Sequence, residues 1–218
     1  KGIERYPNHL KAIVRDRPEL IRGIFQEFVG TKREARLLQG LAKVVPDFAF
    51  EEAQKILPER SKMDREFQSA LTELMKTHSM ELERIFDAMP GAGDSDLSRV
   101  VLTHRLKEDF DATFDQLIET SWGFDVLFEA RGMVKPEQLI ARMAGFPESW
   151  RNLLTEKSYA ITNLFEDRGP VLGMDWEKLG FSKVQSDQIR SEIFHRAAYS
   201  NPLEVFETAL KNTGPTME

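Results

Sequence analysis

Between residues 62 and 131 apolar side chains recur at every third or fourth position, a period that belongs to helices. Met63, Phe67, Ala70, Leu71, Leu74, His78, Leu82, Ile85 and Met89 form one stripe. Leu97, Val100, Val101, Phe110, Phe114, Leu117, Ile118 and Trp122 form a second. The breaker run Pro90-Gly-Ala-Gly-Asp-Ser95 separates them. The spacing predicts two long helices, 62–89 and 96–131. A short Gly/Asp/Ser connection makes consecutive helices antiparallel neighbours, so the pair is expected to close into a hairpin. A hairpin of that length commits the chain to an all-α architecture of about nine or ten helices built around it.

Helix-start chemistry marks the flanking segments. Pro18 stands in the first turn of a stretch with Leu20, Ile21, Ile24, Phe25 and Phe28 on the helical period, ended by Gly30. Thr31-Lys-Arg-Glu34 has the form of a capping box, in which hydroxyl and carboxylate each accept from a free backbone N–H. Pro46-Asp47 opens a short helix that Pro58 stops. Beyond Gly132 the pieces shorten. Helices are expected at 136–144 and 147–165, a single turn at Asp175-Trp-Glu-Lys-Leu179, a second capping box at Ser182-Lys-Val-Gln185 and a last helix from Pro202, with Asp167-Arg-Gly-Pro170 as linker. This divides the chain into a helical domain, 1–132, and a smaller lobe, 133–218. No strand pair is expected, because alternation never persists and no Asn-Gly or Asp-Gly separates two β-branched runs.

Composition narrows the function classes. Apolar residues make up 41% of the 218 and include 15 Phe, a globular mix and not a disordered one. No apolar run approaches the ~20 residues needed to span a bilayer. The absence of cysteine removes disulfides, thiolate metal sites and a Cys nucleophile, and suits a reducing, cytoplasmic setting. The net charge of −6 hides an asymmetry: residues 1–43 carry ten Lys/Arg against five Asp/Glu, and the remainder carries 20 against 31. An acidic chain of this kind lacks the basic footprint of a general nucleic-acid binder.

Candidate chemistry is sparse. His78 has Glu81 three residues on and His104 has Glu108 four on, so a His/Glu cluster inside the hairpin would define a metal-dependent helical enzyme as the alternative function. Di-iron bundles use Glu-x-x-His; here the order is reversed. A histidine that packs by its ring and bonds one nitrogen is the commoner arrangement, and neither metal nor cofactor is expected. His9 and His195 read as surface. Glu108, Asp111, Asp115 and Glu119 line one side of the second long helix, where like charges at i,i+4 repel by a few tenths of a kcal/mol. Such a row is a solvated face, a dock for a basic partner or a Mg²⁺ site through Asp111 and Asp115. Lys32, Arg33, Arg36 and Lys43 make a basic helix, with the acidic row as its expected counterpart. No aromatic residue is interleaved there, which argues against base stacking, and a nucleic-acid-associated protein using Lys32, Arg33 and Arg36 is the further alternative function. No phosphate loop follows a strand, no Gly-x-Ser-x-Gly elbow occurs, and Thr77-His78-Ser79 cannot form a triad because adjacent helical side chains diverge. Trp122, Trp150 and Trp176 sit near Gly or Pro breakers, where large rings plug helix junctions; an exposed hot spot at Trp176 and Phe181 is the other reading.

Asp175-Trp-Glu-Lys-Leu179 with its following capped helix resembles the Trp-containing turn of death-fold adaptor domains, over about a fifth of the chain. The other helices do not follow that family's helix pattern, and the family is not adopted. The expected function is a non-catalytic helical interaction module, such as an adaptor, scaffold or assembly factor. Its partner would be another protein docking on Glu108, Asp111, Asp115 and Glu119 or on Lys32, Arg33 and Arg36. The sequence leaves the oligomeric state open.

Overall fold

The computed structural model describes residues 7–57, 64–89, 93–130, 132–156 and 174–200, with the side chains at 32 and 197–200 outside that description. Among the described residues the chain forms eleven helices and no strand. They are α1 (Pro7–Asp16), α2 (Pro18–Phe28), α3 (Lys32–Val44), α4 (Pro46–Ile56), α5 (Arg65–Asp87), α6 (Asp96–Glu108), α7 (Phe110–Ile118), α8 (Gly123–Glu129), α9 (Pro136–Met143), α10 (Glu148–Glu156) and α11 (Lys183–Ser200). The all-α class follows directly. None of the described helices is long and apolar enough to cross a membrane. The chain divides into two compact units, Lys1–His104 and Arg105–Glu218.

In the first unit α3 and α5 make the central packed pair, with α4 against both and α1 and α2 against each other and α3. Ala35, Leu38 and Leu41 of α3 are fully buried, as are Ala49 and Ala53 of α4 and Phe67, Ala70, Leu71 and Leu74 of α5. Alanines at these crossings let backbones approach while the leucines and Phe67 fill the space between, the interdigitation that close packing requires. Prolines at the first helical positions of α2 and α4 start those helices without a side-chain cap. Asp64 caps α5 by accepting from the N–H groups of Glu66 and Phe67.

The two long helices do not form the expected hairpin. The first is bent: His78 has φ −130° and ψ 35°, outside the helical region, so α5 is two helical pieces joined at a kink. The second is three helices. Asp109 takes an extended φ of −139° and its carboxylate accepts from the N–H of Ala112, which starts α7 afresh. Residues 119–122 then break the chain again before α8. The start of α6 lies beside the start of α5, since the Asp64 N–H donates to both carboxylate oxygens of buried Asp96 at 3.1 Å. An antiparallel pair of straight helices would bring it to the other end.

The second unit is organised by aromatic rings. Trp150, 1% exposed, meets Phe114, Phe124 and Phe146 edge-on at centroid separations of 5.8, 5.7 and 5.3 Å. Edge-to-face geometry sets the positive ring edge on the negative ring face, beyond what the burial itself contributes. Trp176 is fully buried and edge-on to Phe181, so it is a core residue and no exposed hot spot. Gly180 follows the turn at φ +87°, and its carbonyl accepts from Arg151 Nη1 at 2.8 Å. The expected linker at 167–170, the continuation of the 147–165 helix beyond 156 and the helix from Pro202 lie outside the described residues.

Candidate functional site

Arg33, Arg36, Asp111 and Asp115 of the basic and acidic candidates are engaged within their own units. Arg36 Nη2 donates to Glu66 Oε1 at 3.1 Å, and that bond holds the Glu66 carboxyl below the usual carboxylate range. The Arg33 guanidinium stands 5.6 Å over the Phe28 ring. The Lys32 side chain lies outside the described residues. Asp111 and Asp115, one turn apart on α7, both face Arg142 of α9, with Asp111 Oδ1 at 3.5 Å from Nη1 and Asp115 in direct contact. Arg142 also lies 4.8 Å over the Phe114 ring. One guanidinium thus relieves the repulsion between two carboxylates and covers the aromatic core. Glu108 ends α6 and Glu119 caps the C-terminus of α7, both exposed, so the row expected on a single helix is split by the break at Asp109.

The histidine candidates separate. The His78 ring stacks on Phe50 at 4.6 Å and 12°, with Nε2 3.2 Å from Asp47 Oδ1 and Nδ1 2.8 Å from the Thr77 hydroxyl. His104 Nδ1 is 3.4 Å from Glu83 Oε1. Glu81 and Glu108 are exposed. The four residues of the metal alternative therefore do not gather, and among the described residues no group of three or more His, Asp or Glu is placed to hold a metal ion. His78 is used instead where α5 bends: its ring fills the kink and both nitrogens meet polar groups of the chain. His9 and His195 are exposed.

A different feature stands out on the first two helices. Ile13, Leu20, Ile24 and Val29 are 41, 49, 42 and 60% exposed. On α2 the sequence places Leu20 and Ile24 in one inward stripe with Ile21, Phe25 and Phe28, yet only Ile21 and Phe25 are buried. The signal was present in the width of the stripe. At 100° per residue the five side chains span about 140° of the helix, more than one packed side takes up. A separate groove of about 500 Å³, which none of Ile13, Leu20, Ile24 and Val29 borders, is lined by Lys11, Arg15, Arg22, Val44, Asp47 and Glu51 among others. Its charges are largely matched: Arg22 bonds Glu51 and Glu52 at 3.1 and 3.0 Å, and Arg15 bonds Asp16 at 2.7 Å. No protein-family model, curated protein or solved structure matches this chain.

Proposed function

We propose that this chain is a non-catalytic helical interaction module, working in the cytoplasm as an adaptor, scaffold or assembly factor whose partner is another protein. The observation that carries the reading is the outward apolar face of α2, where Leu20 and Ile24 stay about half exposed one turn apart. Exposed apolar side chains grouped on one element mark contact surfaces more often than singly scattered ones do. The pairing of the titratable candidates with fold-internal partners adds to it. His78, Asp111 and Asp115 contact groups of the fold, while Glu108, Glu119 and Arg33 remain as exposed charges for a partner's rim.

The test is capture with the full chain as bait, quantified for wild type, for Leu20→Glu/Ile24→Glu and for Glu108→Lys/Glu119→Lys. Proteins held by the wild type and lost with the first variant support docking on α2. Identical captures with both variants overturn it, because neither the apolar face nor the acidic residues would then select anything.

A further inference from the structure

Leu20, Ile24 and Glu27 on the outward side of α2, with the N-cap residue Arg17 just ahead of the helix, follow one another at three, four and three residues. That is the spacing of a helix–helix seam, with two apolar positions flanked by a cation at one end and an anion at the other. All four are exposed, and among the described residues neither the Arg17 nor the Glu27 side chain pairs with another group. We infer that this row is completed by a second copy of the chain, α2 against α2 in antiparallel contact across a two-fold axis at the level of residue 22. The inference rests on the docking reading above and names its occupant.

The charges select the arrangement. In antiparallel pairing about that level Leu20 layers on Ile24 of the second copy, and Arg17 faces Glu27 of the second copy, twice by symmetry. Parallel pairing would set Arg17 against Arg17 and Glu27 against Glu27, which like-charge repulsion disfavours. Gly23 borders the seam in the middle of α2, and a Cβ built there meets nothing within 4 Å, so the packing of the chain itself does not call for glycine at this site. A second helix approaching closely does. A contact along one eleven-residue helix is small beside the ~1,200 Å² of stable interfaces, so the dimer is weak and forms only at high concentration.

Sedimentation equilibrium of the full chain, up to about 1 mM, tests this. Wild type passes reversibly from monomer to dimer. Arg17→Glu or Glu27→Arg alone raises the dissociation constant about tenfold, since each sets like charges together. Arg17→Glu/Glu27→Arg restores it to within about threefold, because the swapped pair is again complementary. The two exposed charges lie outside the core, so these variants fold as the wild type does. A monomer at every concentration overturns the inference, as does a dimer that the double reversal weakens further than either single one. If the chain stays monomeric while Leu20→Glu/Ile24→Glu still loses its captured partners, self-pairing is wrong and docking on α2 stands.

Discussion

Three glycines show how differently one added methyl group weighs in this chain. At Gly23 the helix is ordinary and the space open, so Gly23→Ala should raise stability by about 0.5–1 kcal/mol in urea denaturation, by reducing the freedom of the unfolded chain. At Gly180 a Cβ would sit 2.4 Å from Arg151 Nη1, and φ is +87°. The arginine can move but the backbone cannot change sign, so Gly180→Ala should cost about 1–2 kcal/mol. At Gly123 the obstacle is the Leu117 carbonyl oxygen, 2.1 Å away and part of the backbone, and Gly123→Ala should cost about 3 kcal/mol. A different measurement applies to Glu66, whose carboxyl is held low chiefly by the Arg36 bond. A depressed folded-state pKa contributes stability above the unfolded value and loses it as pH falls through the folded one. In Arg36→Ala an NMR titration should find the Glu66 midpoint moved up toward its ordinary value; an unmoved midpoint would mean the bond does not set it.

At the scale of the element, local chemistry was legible and tertiary breaks were not. The box at Ser182 and Gln185 forms as its sequence requires, with Ser182 N–H to Gln185 Oε1 at 2.9 Å and Gln185 N–H to Ser182 Oγ at 3.3 Å. Both bonds close within four residues, so the box forms from local chemistry alone. The first box shifts by one: Glu34 Oε2 accepts from Gly30 instead of Thr31, whose own N–H is taken by the Phe28 carbonyl. The break inside 96–131 was hidden because α6 and α7 each bury an apolar side, and their stripes join into one apparent period. Asp109 is the residue that separates them. Asp109→Ala should remove the cap of α7 and cost about 1 kcal/mol by thermal or chemical unfolding, and an unchanged midpoint would show that packing alone sets the break. Helix α1 went unread because its single buried residue, Leu10, leaves too little pattern in ten positions. The kink at His78 was unreadable for the same kind of reason: its cause, the Phe50 ring and the Asp47 carboxylate, is supplied by α4.

For the whole molecule, three of the candidate charges, Arg36, Asp111 and Asp115, are ion-paired inside the fold. Asp111 and Asp115 share Arg142 of α9, a contact distant in sequence that no spacing rule reports. Among the described residues the α2 face groups exposed apolar side chains one turn apart, visible in the sequence only as a wide stripe. The account therefore turns on whether that face meets its own copy. The chain has no cysteine, so Gln26→Cys carries a single spin label on the side of α2 turned away from the row. Double electron–electron resonance near the top of the concentration range should give one intermolecular distance of about 25 Å, from the helical rise to residue 26 and the spacing of two packed helices. A sample with no intermolecular coupling at that concentration would contradict it.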